Sequence, residues 1–208
     1  MRYLFQGDSI TDAFRLDNAD ATSTGMGYVR LLESRLTCED PQAQVLNGGI
    51  SGHRVSDLLA RWKKDCLNLE PDVLTVLVGI NDIIHEYFNQ NGVGADLYET
   101  LYRMLLQQIT NQNPNVKLVL MSPFLVGDGS ADPVWGKNWN EIKADLVCFQ
   151  QIVRRLAEEF GAIHIDLQDI FDKAQEKAPA KHWSFDSVHP TAAGHELIAR
   201  SWTEAVMK

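Results

Sequence analysis

Short apolar runs alternate with longer amphipathic segments along this 208-residue chain, and this alternation is the strongest constraint on its fold. Five runs are rich in aliphatic and β-branched residues and almost free of polar interruptions. They cover residues 2–6, 43–47, 72–79, 116–122 and 162–166. Continuous apolar strands are typical of parallel sheets that are covered on both faces. We therefore expect a central parallel sheet of about five strands.

The segments between these runs carry apolar residues at helical spacing. In residues 55–69, for example, Val55, Leu58 and Trp62 share one face of a helix. Comparable segments cover residues 27–36, 97–109, 146–160 and 191–206. Strands that alternate with helices predict a doubly wound α/β/α sandwich. At this length we expect one domain, residues 1–208.

Charge and composition exclude several classes of function. The formal net charge of −9 argues against a nucleic acid partner, because phosphate binding needs a basic surface. No apolar stretch approaches the ~20 residues that span a bilayer, and the first strand begins too early for a leader peptide to precede it. The three widely separated cysteines, Cys38, Cys66 and Cys148, are typical of reduced thiols. We therefore predict a cytoplasmic protein that binds neither membrane nor nucleic acid.

Residues that directly follow the strands are the first functional candidates, because open α/β sheets bind ligands at the carboxyl ends of their strands. The first run leads into "GDS" at residues 7–9. The hydroxyl of Ser9 has two interpretations here: it caps the next helix, or it is a nucleophile at the rim of the sheet. Asp8 is interpreted as a turn residue that braces this loop.

The partners that a nucleophile needs follow other strands. The segment "GGISGHR" at residues 48–54 offers flexible backbone N–H groups, and "GIND" at residues 79–82 offers the side-chain amide of Asn81. For Asn81, a cap of the next helix or turn is an equal alternative. Near the end of the chain, Asp186 and His189 are spaced so that the carboxylate can reach one ring nitrogen while the other points outward.

Ser9, His189 and Asp186 therefore make a candidate nucleophile, base and orienting acid. The alternative for His189 is an exposed loop histidine, and the other histidines, including His195, are interpreted as ordinary surface or core residues. A metal site built from Asp8, Asp186 and His189 lacks the ligand spacing that such sites show. We therefore expect no metal and no cofactor.

Four blocks of the sequence, "GDSIT", "NGGISGHR", "GIND" and "DSVHP", resemble the motif blocks of the SGNH hydrolases, also called GDSL esterases, in the order typical of that family. The blocks span nearly the whole chain. The resemblance implies a flavodoxin-like α/β/α fold and assigns catalytic roles to Ser9 and His189, with Asp186 completing the triad.

The same resemblance implies an oxyanion hole made by the backbone N–H of Ser9 together with Gly52 and Asn81. Fixed donors of this kind stabilise the negative charge of a tetrahedral intermediate. Gly48 and Gly49 remain alternatives to Gly52, because either glycine also lets the backbone approach a substrate closely.

Further stretches, among them "GYVRLLESRL" and "SVHPTAAGHELIAR", are similar to intracellular bacterial acetyl-xylan esterases and related carbohydrate esterases. This implies a serine esterase that removes O-acetyl groups from sugars such as acetylated xylo-oligosaccharides. It is also compatible with a homo-oligomer, whose order no sequence feature determines. Four aromatic residues are predicted to line the sugar side of the site, with the core or a subunit interface as the alternative. They are Tyr87, Phe88, Trp135 and Trp139.

Two rival functions remain. A lysophospholipase or acyl-thioesterase on the same scaffold would need a long apolar channel for its acyl chain, and the sequence shows none. A carbohydrate-binding protein without catalytic activity would be expected to lack a member of the triad or of the oxyanion hole, and none is missing from the sequence.

Overall fold

A five-stranded sheet lies at the centre of the computed structural model, which describes residues 1–17, 20, 22–130 and 137–207. All strands are parallel and their spatial order is β2-β1-β3-β4-β5. The strands are β1 (Arg2–Gly7), β2 (Gln44–Asn47), β3 (Val73–Leu77), β4 (Lys117–Met121) and β5 (Ile163–Ile165). This confirms the predicted parallel sheet and the flavodoxin-like order, in which the strand order reverses between β1 and β3.

Helices cover both faces of the sheet. The first five are α1 (Ser9–Asp12), α2 (Tyr28–Glu39), α3 (Val55–Asp65), α4 (Ile80–Asn89) and α5 (Ala95–Gln112). Further along the described part of the chain come α6 (Trp139–Glu159), α7 (Leu167–Gln175), α8 (Ala180–Trp183) and α9 (Ala192–Val206). Helices α2, α7 and α9 pack in one layer, and α3, α5 and α6 pack in the other. The short helix over Leu67–Leu69 is a 3₁₀ turn.

Burial explains which elements the sequence pattern revealed. Every residue of β3 is buried, as expected for a central strand that is covered on both faces. Deep in the core, the indole N–H of Trp202 on α9 donates to the Thr75 hydroxyl at 2.9 Å, which satisfies two polar groups that water cannot reach.

Helices α4 and α7 were not predicted, because α4 begins inside the "GIND" stretch and α7 begins directly after β5.

The parallel arrangement gathers the loops that follow β1, β2 and β3 at one edge of the sheet. Within the described residues, no helix combines the length and the apolar sequence that crossing a membrane requires.

Candidate active site

The turn after β1 shows which residue caps α1. The carboxylate of Asp8 accepts a hydrogen bond from the Ile10 backbone N–H at 3.0 Å, so Asp8 is the N-cap and Ser9 is the first helical residue. The interpretation of Ser9 as the cap is therefore wrong. Since Asp8 satisfies the end of the helix, the Ser9 hydroxyl is available for another partner.

That partner is His189, which lies 180 residues further along the chain. Ser9 Oγ is 2.9 Å from His189 Nε2, and His189 Nδ1 is 2.6 Å from Asp186 Oδ2. The other carboxylate oxygen of Asp186 accepts the backbone N–H groups of Val188, at 3.0 Å, and of His189, at 2.7 Å. The imidazole thus stands between a hydroxyl and a carboxylate that the backbone holds in place.

The loop that carries this pair is a tight turn. Ser187, between Asp186 and His189, adopts a left-handed conformation with φ of 74°, which is unusual for a residue other than glycine. The carbonyl of His189 accepts hydrogen bonds from the Phe185 N–H, at 2.9 Å, and from the Ser184 hydroxyl, at 3.0 Å. Strain of this kind persists where the surrounding contacts hold it in place.

The ionisation of the pair suits a general base. The hydrogen bond that His189 donates to Asp186 raises the pKa of His189 above its ordinary 6.5, although partial burial opposes this shift. Partial burial acts to raise the pKa of Asp186, but hydrogen bonds from the His189 side chain and backbone outweigh it and hold this pKa below 3.8. Asp186 is therefore ionised near neutral pH, and its charge favours the protonated form of the His189 ring.

The loop after β2 is held by the first turn of α4. Asn81 is the second residue of this helix, whose N-cap is Gly79, so its side chain is not a cap. One N–H of its amide donates to the His53 carbonyl at 3.2 Å. Next to it, the buried carboxylate of Asp82 accepts the Val55 N–H at 3.0 and 3.2 Å. These bonds position residues 48–54 beside Ser9.

The three candidate glycines of that loop differ in how their N–H groups are used. The Gly48 N–H donates to the Phe5 carbonyl at 2.7 Å, and the Gly49 N–H donates to the Asn47 side chain at 2.9 Å. Among the described residues, neither the Gly52 N–H nor the Ser9 N–H has an acceptor. Gly52 has a φ of +80°, and a Cβ there would touch nothing within 4 Å, so its backbone conformation is what favours glycine.

Two buried carboxyl groups lie behind this loop. Burial raises the pKa of Asp8 to about 7 and that of Asp82 to about 8, and the charge of Asp8 contributes to the second shift. Asp8 Oδ2 is buried without a hydrogen-bond partner among the described residues. Asp8 therefore combines the bracing role that the sequence predicted with a charge that is costly to bury.

A cavity of about 450 Å³ opens at Ser9 and His189. Its rim includes three exposed apolar side chains, Phe14, Met26 and Phe185, with exposed fractions of 67%, 78% and 73%. None of these residues was predicted from the sequence, although Phe14 follows Ser9 by five positions and Phe185 directly precedes Asp186. His195 also lines this cavity.

The four predicted substrate-binding aromatics lie elsewhere or outside the described residues. Tyr87, on α4, donates to Asp145 at 2.8 Å, and its neighbour Phe88 is 41% exposed. Trp139 is buried at the start of α6. None of these three lines the cavity at Ser9. Trp135 falls outside the described residues, so the roles of all four remain predictions.

No metal site is visible in the described ranges, since no three histidine, cysteine or acidic side chains are grouped to hold an ion. In the described residues, a hydroxyl and an imidazole meet at one cavity, a carboxylate accepts a hydrogen bond from the imidazole, and the neighbouring loops carry two backbone N–H groups without acceptors. This is the set of groups that acyl transfer requires.

Comparison with known proteins agrees with this geometry. The GDSL-like lipase/acylhydrolase family matches residues 5–197. An acetylxylan esterase from Geobacillus stearothermophilus is 31% identical over 99% of this chain and 93% of its own length. A solved structure of a catalytic mutant of the acetylxylan esterase from that organism superposes with a TM-score of 0.84, at 30% identity, over 98% of this chain and 93% of that one.

A protein from Parabacteroides merdae described as a GDSL-like lipase is more similar in structure, with a TM-score of 0.90 and 37% identity over 99% of this chain and 95% of that one. A match that covers nearly all of the chain, together with relatives above 30% identity, identifies the family. The chain therefore belongs to the GDSL-like lipase/acylhydrolase family and is a carboxylic ester hydrolase.

Proposed function

We propose that the protein removes O-acetyl groups from carbohydrates, such as acetylated xylo-oligosaccharides, through an acyl-enzyme formed on Ser9. This proposal is supported by the two hydrogen bonds that join Ser9 to His189 and His189 to Asp186 beside the cavity. Alanine variants of the Geobacillus acetylxylan esterase at a serine, an aspartate and a histidine are described as catalytic mutants, and the last two lie three positions apart, as Asp186 and His189 do.

In the first half of the proposed reaction, Ser9 Oγ attacks the ester carbonyl carbon while His189 Nε2 accepts the hydroxyl proton. The carbonyl oxygen becomes an oxyanion that receives hydrogen bonds from the N–H groups of Ser9 and Gly52 and from the Asn81 amide. The C–O bond to the alcohol then breaks. His189 returns its proton to the departing sugar oxygen, which leaves acetyl-Ser9.

In the second half, a water molecule replaces the sugar. His189 accepts a proton from this water as it attacks the acetyl carbonyl, and the same donors stabilise the second oxyanion. Collapse of this intermediate breaks the bond to Ser9 Oγ, which recovers its proton from His189. Acetate is released, and the active site returns to its resting protonation state without any cofactor.

The names of the relatives support acetyl as the acyl group of the substrate and a sugar as its alcohol part. Acetylxylan esterase describes the Geobacillus relative, and acetyl-xylooligosaccharide esterase describes another of its solved structures. Here, exposed phenylalanines at the rim of the cavity offer apolar faces of the kind that pack against pyranose rings. In the proposal an acetylated sugar is the small-molecule partner, the protein acts in the cytoplasm, and self-association remains compatible with it.

Two substrate series test this proposal. The first comprises acetylated xylo-oligosaccharides and simple acetyl sugars, with acetate release as the measurement. The second comprises p-nitrophenyl esters of increasing acyl length, for which we expect kcat/KM to fall from acetate to octanoate. Faster turnover of octanoate than acetate, or no acetate release from any acetylated sugar, would contradict the proposal.

A further inference from the structure

His195 belongs to neither the triad nor the oxyanion hole, yet it borders the same cavity. It is the fourth residue of α9, whose N-cap Thr191 follows His189 by two positions. The helix therefore brings a second imidazole to the site that the catalytic loop has just formed. The sequence analysis interpreted His195 as an ordinary surface or core histidine.

The ring of His195 is fixed from two sides. The Tyr28 backbone N–H donates to His195 Nδ1 at 3.2 Å, and the two rings lie nearly parallel, 21° apart, with centroids separated by 6.4 Å. At Gly27, a Cβ would lie only 2.7 Å from His195 Cε1 and 2.9 Å from Nδ1. Residue 27 can therefore carry no side chain while the ring stays in this position.

These contacts determine the tautomer. Because Nδ1 accepts a hydrogen bond, the proton of the neutral ring must be on Nε2. Burial lowers the pKa of His195 to about 4, and the nearby charge of His189 acts in the same direction. The geometry agrees, since a proton on Nδ1 would face the N–H of Tyr28. His195 is thus a neutral imidazole with a single donor, Nε2–H.

Among the described residues, no acceptor receives a hydrogen bond from Nε2–H. Nε2 is also not one of the fully buried side-chain atoms that lack a partner, so it remains accessible to solvent. The exposed part of the ring borders the cavity. An N–H donor at this cavity favours a ligand that brings an oxygen to it, because a plain hydrocarbon would leave the donor unpaired.

We propose that His195 Nε2–H donates a hydrogen bond to a hydroxyl or ring oxygen on the alcohol part of the ester. His195 is then a specificity-determining residue that favours polyhydroxylated alcohols over hydrocarbon ones. This inference rests on the proposed function and deepens it, since it identifies which side chain distinguishes a sugar acetate from other acetates.

Two substrates of similar shape isolate this contact. A monoacetylated methyl xyloside presents a six-membered ring with oxygens, and cyclohexyl acetate presents a six-membered ring without them. The informative quantity is the ratio of kcat/KM for the sugar acetate to kcat/KM for cyclohexyl acetate. For the wild-type protein we expect this ratio to be well above one.

Two substitutions at His195 separate the role of Nδ1 as an acceptor from the role of Nε2 as a donor. His195→Asn retains an oxygen that can accept from Tyr28 N–H but places no donor at the position of Nε2. His195→Gln can place an N–H at that position and loses the Nδ1 acceptor. We expect His195→Asn to keep its melting temperature and to lose about tenfold in the ratio. We expect His195→Gln to be less stable and to keep more of the ratio.

Gly27→Ala provides an independent test without altering the imidazole. Its backbone φ of −106° suits alanine, and the added Cβ would lie 2.7 Å from both the His195 ring and the Ala13 Cβ, so its melting temperature is measured in parallel. The variant should lower the ratio, because a displaced ring no longer holds Nε2–H at the cavity.

The outcomes distinguish this inference from the proposed function. If the wild-type protein releases no acetate from the sugar acetate, both are overturned. If it hydrolyses the sugar acetate without preferring it to cyclohexyl acetate, this inference is overturned and the proposed deacetylation stands. If it does prefer the sugar, but His195→Asn and Gly27→Ala leave the ratio unchanged or lower both substrates equally, then His195 does not recognise the alcohol and the proposed deacetylation stands.

Discussion

Within the described residues, two serine hydroxyls contact histidine rings, and of these two serines only Ser9 lines the cavity described above. Ser122 Oγ, just after β4, is 2.7 Å from His164 Nε2, a shorter contact than the 2.9 Å between Ser9 and His189. However, Ser122 is completely buried, and burial lowers the pKa of His164. Ser9 is partly exposed at a cavity, and Asp186 raises the pKa of its histidine.

The difference teaches that a short contact between a hydroxyl and an imidazole is not enough to make a nucleophile. Among the described residues, no carboxylate accepts a hydrogen bond from the second ring nitrogen of His164, and Ser122 does not line the cavity at Ser9. A catalytic pair needs an oriented base, access for a substrate, and donors placed for the oxyanion. The Ser122 pair instead satisfies two polar groups near the core.

The largest expected effect comes from replacing each serine in turn. Ser9→Ala removes the nucleophile, and we expect kcat for p-nitrophenyl acetate to fall by about 10⁴-fold or more with little change in melting temperature. Ser122→Ala removes a buried hydrogen bond, so it should lower stability by about 1 kcal/mol and leave kcat within threefold. Turnover that survives Ser9→Ala, or disappears in Ser122→Ala, would reverse the comparison.

Replacing Asp186 tests the feature that the Ser122 pair lacks. In Asp186→Asn the side-chain oxygen can still accept the backbone N–H groups, but the amide would present a donor to His189 Nδ1. This holds the ring in the tautomer that cannot accept the Ser9 proton, so we expect kcat to fall by about 10⁴-fold. Steady-state kinetics at pH 8 measure this effect. A loss under tenfold would show that His189 works without the carboxylate.

The oxyanion donors distinguish the two pairs further, because none of the proposed donors adjoins Ser122. Asn81→Ala should lower kcat by about 100-fold or more. The variant also loses the bond to the His53 carbonyl, so its melting temperature must be measured in parallel. A fold-change in KM with kcat unchanged would place Asn81 in substrate binding rather than in oxyanion stabilisation.

The pH profile identifies which histidine is the base. His189 must be neutral to accept a proton, and its pKa is raised, so the acid limb of kcat/KM should have its midpoint above pH 6.5. Below that midpoint, activity should fall tenfold per pH unit. The pKa of His164 is lowered, so a limb centred well below 6.5 would point to the wrong pair.

The smallest expected effect concerns Asp8, the buried carboxyl beside Ser9. Its folded-state pKa of about 7 lies above its unfolded value near 3.8, so its favourable contribution to stability is present at low pH and is lost as the pH rises through 7. Asp8→Asn keeps an acceptor for the Ile10 N–H and removes this dependence. Denaturation at pH 5 and pH 8 should show the variant gaining relative to wild type at pH 8. A difference that does not change with pH would contradict the shifted pKa.

Much of the fold could be predicted from the sequence because buried parallel strands are continuous apolar runs. Each predicted strand lies within about two residues of the observed one, and the helix predicted over residues 146–160 begins earlier, at Trp139. The prediction failed where a functional motif overlapped a helix start, as in α4. It also failed for α7, which follows the short strand β5 directly.

The residues of the candidate site were likewise only partly predictable from the sequence. The sequence selected Ser9, Asn81, Asp186 and His189, because they follow strands or stand at a spacing that chemistry uses. It selected aromatic residues by type alone, and the ring of one of them, Trp139, is buried, whereas Phe14 and Phe185 are exposed at the cavity. Whether an aromatic side chain is exposed depends on packing against distant segments, and local sequence does not contain this information.

The sequence by itself determined the layered α/β architecture and the candidate catalytic residues, because hydrophobic periodicity and motif spacing are local properties of the chain. Only the tertiary structure decided that Asp8 rather than Ser9 caps α1, that the Gly52 N–H has no acceptor among the described residues while those of Gly48 and Gly49 are used, and that His195 meets the cavity. The Asp8 cap and the Gly49 bond are local, but they depend on backbone conformations that the packed loops hold. The Gly48 bond to Phe5 and the His195 contact with Tyr28 join segments that are distant in the chain, 167 residues apart in the second case, and they exist only once the chain has packed.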